Sequence, residues 1–426
     1  MSVREGEQRL MSDGVTPLRG SGLRSSGLPS SKPALKDPKD LNQLIRKIAR
    51  QLEPELIEFR RDLHAHPEPS REEIRTTANV YERLQQAGLE PRLLDGTGLI
   101  CDLGTKAGPR TAIRADIDAL PLVDTCERAW QSTNEGWTHG CGHDVHTTVI
   151  LGTGLVLREL ENQGIEVPRT RLIFQPAEEV FPGGSLTVMA QGGLNGISRI
   201  ASLHCEPKLE VGKIATRVGP ITSATDEVEV TLVSTGGHTS RPHLTGDVVF
   251  ALGEVITQVP SVLGRRLDPR SGVNLTWGMV HAGEARNAIP AEGMVAGTLR
   301  CLDVRAWERA GHMLDEAITQ VVTPYSVDVT LRHVRGVPPV ENDLAVTNDL
   351  MDAARAVVYP ENVEPTEQSL GGEDFAWYLT KVPGAMIRLG TRAPGAPLGD
   401  LHQGALDVDE DAIEIGVRVF TKFIMG

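Results

Sequence analysis

From Leu41 to Leu63 apolar side chains recur at Leu44, Ile45, Ile48, Leu52, Leu56 and Ile57. That is the three-and-four spacing of one helical face, and it stops at the segment HAHPEPS. Further on, RTAIRADIDAL reads as a buried strand running into a loop, VHTTVILGTGLVLREL as a helix, and TRLIFQPAEE and RIASLHCEP as two more strands. Strands alternating with helices predict an α/β domain whose sheet is flanked by helices on both faces. In such sheets ligands gather beyond the carboxyl ends of the strands.

The rhythm changes after about residue 221. DEVEVTLVS alternates as a strand, DVVFALGEVITQVPSVL is helical, GVNLTWGMV and GMVAGTLRCLD are strands, WERAGHMLDEAITQVV is a helix and VDVTLRHV is a strand. That order, βαββαβ, predicts an α+β ferredoxin-like unit over residues 222–334, inserted into a domain made of residues 39–221 and 335–426. Two domains also suit a chain of 426 residues, which is too long for one ordinary core. Residues 1–38, rich in Ser, Gly, Pro and charge without apolar period, read as a disordered leader. Met11 is as good a start as Met1.

A formal charge of −14 speaks against nucleic acid or an anionic membrane as partner, since both reward basic patches. No run of about 18 uninterrupted apolar residues suggests a membrane span, and the N-terminus lacks the apolar core of a secretory signal. The five cysteines (Cys101, Cys126, Cys141, Cys205 and Cys301) show no paired spacing, which predicts reduced thiols in a cytoplasm.

Five short stretches at strand ends or loop openings carry side chains suited to metals and protons: RADIDALP (Arg114, Asp116, Asp118), HGCGHDVH (Cys141, His143), FQPAEE (Glu178, Glu179), LHCEP (His204) and LHQGALD (His402). Cys, His and Glu hold zinc-like divalent ions. Cys141 and His143, one residue apart beside two glycines, can flank one metal, or the thiolate can bridge two. Each place also has a plainer reading. A single histidine such as His204 is ordinarily packed or solvated, a glutamate pair is ordinarily surface, and Cys205 reads as a small buried hydrophobe. FQPAEE stands apart because it ends an apolar strand, where two adjacent carboxylates can divide metal binding from proton transfer. Taken together, the five stretches point to a di-metal site.

RADIDALP, CGHDVHT, FQPAEE, GGHTSRPH, GGEDF and LHQGALDVDE occur in that order from about residue 45 to the C-terminus. The set resembles the signature of one family of co-catalytic metal amidohydrolases and exopeptidases, which includes aminoacylases, hippurate hydrolases, auxin-conjugate hydrolases and related carboxypeptidases. The resemblance implies a catalytic α/β domain with an inserted lid, often dimeric through that lid. It implies two divalent ions (Zn, Mn, Co or Ni) held by Cys141, His143, Glu179, His204 and His402, with Glu178 as general base. Asp116 matches the aspartate behind the ligands, whereas Arg114 stands where other branches have a ligand histidine; Cys141 and His143 restore the count, the habit of the aminoacylase-like branch. His238 matches a lid histidine that approaches the scissile carbonyl, sometimes from the partner subunit. Asn287 and Arg300 match lid residues that hold the substrate carboxylate, although a strand-end charge is an equally plain reading of Arg300. Gln403, Gly404, Cys205 and Glu206 depart from or vary among relatives without removing a ligand, and His64 and His66 receive no role.

The implied function is hydrolysis of N-acyl amino acids, with acetyl, benzoyl or similar acyl groups, by attack of metal-activated water. The alternative within enzymes is a dipeptidase or carboxypeptidase acting on short peptides or aryl-amide amino acids. A non-catalytic binding protein of the same fold predicts loss of a ligand or of the base, and a structural zinc protein predicts a closed Cys/His site. Neither pattern is present.

Overall fold

A computed structural model describes residues 38–426. The expected leader lies, apart from Pro38, outside the described residues. Helix α1 (Pro38–Ala65) extends the expected 41–63 by a few residues at each end and buries Ile45, Ile48, Leu56 and Leu63. It is followed by α2 (Ile74–Gln86), β1 (Pro91–Leu93), β2 (Leu99–Leu103), β3 (Lys106–Asp116), α3 (His143–Asn162), β4 (Pro168–Gln175), β5 (Ile197–Glu210) and β6 (Ile214–Thr216). After an intervening unit come α6 (Leu344–Arg355), β11 (Val363–Pro365), β12 (Gly384–Arg392) and α7 (Asp411–Met425). The eight strands form one sheet in the order β1–β2–β4–β3–β5–β12–β6–β11. Its centre (β4, β3, β5, β12) is parallel.

Both faces of that centre are covered, so its strands read as apolar runs rather than alternating ones. Along β4, Leu172 and Phe174 point into a core shared with α1, α3 and α7. Ile173 points the other way, towards Ile100, Ala112, Ile200, Met386, Phe375 and Tyr378. Helix α3 is buried all round from His143 to Val156, as a helix apolar on every side must be. Gly152 makes this possible. A Cβ there would stand 2.7 Å from the side chains of both Leu56 and Val417, so the missing methyl lets α1 and α7 close on α3.

The intervening unit contains β7 (Ala224–Val233), α4 (Val248–Arg266), β8 (Asn274–Ala282), β9 (Glu292–Cys301), α5 (Val304–Val322) and β10 (Asp328–Val337). Its strands form a separate antiparallel sheet in the order β8–β9–β7–β10. Second–third–first–fourth is the order of a ferredoxin-like sandwich. Val228, Val230 and Leu232 of β7 pack on Val255 and Val259 of α4 and Leu314 of α5. Among the described residues α4 alone is long and apolar enough to cross a membrane, and its Val248, Leu252, Val255, Val259 and Leu263 side fills this core instead.

A buried ion network ties α1 to the start of α3. Asp144 Oδ2 lies 2.7 Å from Arg60 Nε and 2.9 Å from His64 Nδ1. His64 Nε2 reaches Asp124 Oδ2 at 3.3 Å. Burial opposes the charge on Asp144, but Arg60 and His64 outweigh it and hold the carboxyl well below the usual carboxylate range, so it is ionised at neutral pH. Removing one partner of such a buried pair strands the others without compensation, at a cost of about 3–5 kcal/mol. Asp144→Ala is therefore expected to lower unfolding stability at pH 7 by that amount in urea titration; a change below about 1 kcal/mol would show that the network does not anchor α1.

Candidate metal centre

The site forms where the central strands end on one edge of the large sheet. Asp116 is the last residue of β3. β5 runs past it: Arg114 pairs with Ser202, so His204 stands level with Asp116 although it lies inside its strand rather than at the strand end that the sequence suggests. His143 opens α3 directly after Gly142, which is left-handed (φ 85°) and whose absent side chain makes room for Cys205 Sγ. Two non-glycine residues at the site are also left-handed, Ala177 and His402, each with φ 58°. Such backbone costs on the order of 1–3 kcal/mol and persists only where neighbours hold it. At the Pro176–Ala177 turn that neighbour is the buried Glu73, whose Oε1 accepts the Ala177 N–H at 2.8 Å. At His402 it is the Gly140 carbonyl, which accepts the His402 N–H at 2.8 Å.

These turns bring together all five ligand-type residues. Donor atoms of Cys141, His143 and His204 lie within 4.8 Å of one another, as do those of Cys141, Glu179 and His402, and those of His143, Glu178 and Glu179. Cys141 Sγ is 3.5 Å from His204 Nε2, and Glu179 Oε1 is 3.7 Å from His143 Nε2 and 3.6 Å from His402 Nε2. A tetrahedral shell with bonds of about 2.0–2.3 Å separates its ligand atoms by about 3.3–3.8 Å, so these spacings fit one. His143 Nε2 and Glu179 Oε1 are buried without a hydrogen-bond partner, which a native interior rarely tolerates unless an ion takes the place. The outer nitrogens are occupied: His143 Nδ1 donates to the Asp118 carbonyl at 3.0 Å and His204 Nδ1 to the Cys205 carbonyl at 2.7 Å. Both imidazoles thus turn Nε2 inwards, which is how ligand histidines are held.

The residue that orients these ligands is Asp118 rather than Asp116. Asp118 Oδ1 lies 3.3 Å from His143 Nδ1, and its Oδ2 accepts the Glu179 N–H at 3.0 Å and the Ser70 hydroxyl at 2.6 Å. Asp116 is instead clasped by His146 Nδ1 and Arg114 Nη1, both at 2.6 Å, and its carboxylate stands 3.7 Å from the inner nitrogen of His143. His146 Nε2 also accepts the Cys205 N–H at 2.8 Å, which makes this third histidine of HGCGHDVH a brace with both nitrogens engaged. Cys205 itself is a core residue. Alternating acids in DID were the available signal for Asp118; nothing local distinguishes Glu73, which acts across 104 positions.

Electrostatically the centre is rich in acid. Burial, then Glu373, Glu179, Asp374 and Asp116, raises Glu178 well above the carboxylate range. Burial raises Glu179 to about 7 although His143 pulls it down. Burial and the neighbouring carboxylates push the Cys141 thiol well above 9. Burial alone would neutralise His143, yet Asp116, Asp118 and Glu179 drive it up to about 10. Burial, Arg388 and His146 keep His204 neutral, the form that ligates. The fully buried Arg114 offsets part of the negative charge by pairing with Asp116, Glu373 and Asp374.

The centre opens into a cavity of about 600 Å³ lined by Cys141, Glu178, Glu179, His204 and His402 together with Arg300, Arg388 and the 369–372 loop. Arg300 Nη1 donates to Thr225 Oγ1 and to the Leu370 carbonyl. His238 and Asn287 are not among its lining residues. They sit together on an exposed ribbon, Gly237–His238 paired with Ala288–Ile289, where the Thr239 N–H meets the Asn287 carbonyl at 3.2 Å.

Convergent Cys, His and Glu donors beside a further carboxyl group, at the mouth of a cavity on an α/β sheet edge, define a metal-dependent hydrolase. The sequence profile of Peptidase family M20/M25/M40 matches residues 112–426, and the chain belongs to that family. It is 34% identical to the N-acetyl-L-cysteine deacetylase of Bacillus subtilis, over 85% of each chain. A solved structure described as a dinuclear metal binding peptidase from the M20 family, also from Bacillus subtilis, is 30% identical and superposes with a TM-score of 0.76 over 88% of this chain and 98% of that one. The chain is 48% identical, over 86% of its length, to a provisionally named glutamate–cysteine ligase 2-3 of Rhodococcus jostii, and spans only 46% of that protein.

Binding of a divalent ion must displace protons from His143 and Cys141 as well as from Glu179, so metal affinity is expected to rise with pH through about 7 and beyond. Calorimetric titration in buffers of differing ionisation enthalpy checks this; proton uptake, or no pH dependence between 6 and 8, would contradict it.

Proposed function

We propose that the protein is a two-metal amidohydrolase that cleaves N-acyl amino acids into a carboxylic acid and a free amino acid. The observation that carries this reading is that Cys141 belongs to two ligand groups at once, with His143 and His204 on one side and with Glu179 and His402 on the other. Two divalent ions in these positions would polarise the amide carbonyl and lower the pKa of water towards neutrality. The chain's own residues do the rest. Glu178, beside the ligand ring, takes the proton of the attacking water on its ionised carboxylate and passes it to the leaving nitrogen. Asp374 N–H, 3.4 Å from Glu178 Oε1, and the stiff turn at Ala177 keep that carboxyl in place. Arg300 holds the carboxylate of the amino-acid part from the cavity wall.

Neither His238 nor Asn287 lines the cavity of its own chain, and we infer that they reach the substrate from a second copy. The homodimer proposed here is supported by β8, an edge strand of the smaller sheet that exposes Met279 and Val280. We take residues 222–334 as this lid. All five cysteines are buried and free, which suits a reducing, cytoplasmic setting. Cleavage of short peptides is the competing activity.

Exhaustive chelation is expected to abolish hydrolysis and Zn²⁺, Mn²⁺, Co²⁺ or Ni²⁺ to restore it, with N-acetyl and N-benzoyl amino acids, p-aminobenzoyl-glutamate and dipeptides as the substrate panel. Undiminished turnover by metal-free protein would sink the reading, and turnover of dipeptides alone would favour the peptidase. Glu179→Gln is expected to lose metal, because an amide replaces an anionic ligand. Glu178→Gln is expected to keep its metal and lose about 10²–10⁴-fold in kcat, because proton transfer alone is removed. Metal analysis with steady-state kinetics separates the two, and the opposite pattern would exchange their roles.

A further inference from the structure

Arg388 sits on β12 directly opposite His204 of β5, on the wall of the catalytic cavity. It is 5% exposed. A guanidinium stays charged in proteins, and a charge taken out of water needs a counter-charge. The other deeply buried arginines have one: Arg60 pairs with Asp144, Arg114 with Asp116 and Asp374, and Arg171 with Asp102. Arg388 does not. Its Nη2 donates to Ser369 Oγ at 3.0 Å, and among the described residues no carboxylate forms an ion pair with it. Glu206, on the same cavity, turns a carboxylate oxygen to the Lys208 N–H.

The second arginine of the cavity, Arg300, is also without an acidic partner and holds the next residue of the same loop, the Leu370 carbonyl. One short loop therefore has a guanidinium at Ser369 and another at Leu370, each with N–H groups left over. A single substrate carboxylate occupies one planar fork. We propose that Arg388 is a specificity-determining residue that binds a second carboxylate of the substrate, so that the preferred N-acyl amino acids carry two negative charges. This rests on the N-acyl amino acid reading above. The second carboxylate belongs either to an acidic amino-acid side chain or to the far end of a dicarboxylic acyl group, and both present the same anion to the fork.

The test compares matched pairs on the metal-loaded full chain: N-acetyl-glutamate against N-acetyl-glutamine, and N-succinyl-alanine against its terminal amide. In one pair the acidic member is expected to have the higher kcat/KM by about 10–100-fold, chiefly through KM. Arg388→Gln is expected to reduce that ratio to about one, and Arg388→Lys to keep part of it. The pair that responds identifies where the carboxylate lies. No preference in either pair would overturn the proposal. So would an Arg388→Gln variant that loses both members of a pair equally, since its charge would then serve the metal ligands or the fold. Calorimetric binding of glutarate against butyrate, in wild type and variants of checked metal content, needs no turnover. Failure of every amide substrate with dianion preference still lost in Arg388→Gln would refute the hydrolase reading alone, whereas equal binding of glutarate by wild type and Arg388→Gln would refute this one.

Discussion

Five carboxyl groups, from Asp116, Glu178, Glu179, Glu373 and Asp374, share one small buried volume, and their mutual repulsion shapes everything around them. Two like charges 4 Å apart cost about 4 kcal/mol even at an effective dielectric constant of 20. The protein answers partly with its own cations: Arg114 lies wholly buried between Asp116, Glu373 and Asp374, and His143 is driven to the charged state by the acids around it. Beside those cations stands a set of inward-facing donor atoms whose spacing suits divalent ions. Charge balance therefore links the structural core of the site to its chemistry.

Holding such a centre open requires rigid backbone. The strands end in register, but the ligands hang on the connections between them, and those connections are fixed from outside: Glu73 at the Ala177 turn, the Gly140 carbonyl at His402, Asp118 at both His143 and Glu179. The Asp144 network then ties the first turn of α3, which carries His143, to α1 on the protein's flank.

The smaller sheet relates to this centre through one side chain in particular. Arg300 of β9 reaches the cavity, whereas His238 and Asn287 of the neighbouring ribbon face outwards in the single chain. In the homodimer proposed above these groups would come from the second chain, and the exposed edge of β8 is where that chain would add.

Apolar period alone determined the main elements: α1, α3, the central strands and the βαββαβ order of the smaller sheet all fall where hydrophobic spacing placed them, because burial on one or two faces leaves a mark in every few residues. Residue type and motif order likewise singled out Cys141, His143, Glu178, Glu179, His204 and His402, since few side chains bind metals. The partnerships were decided by tertiary structure. That His204 lies level with Asp116 depends on how far β5 outruns β3. That Asp118 and not Asp116 orients His143, that Glu73 holds a turn over a hundred residues away, and that Arg388 is buried without a carboxylate in contact are facts of distance between segments remote in the chain. Electrostatic partners are set by position in space, and no local pattern records who stands opposite whom.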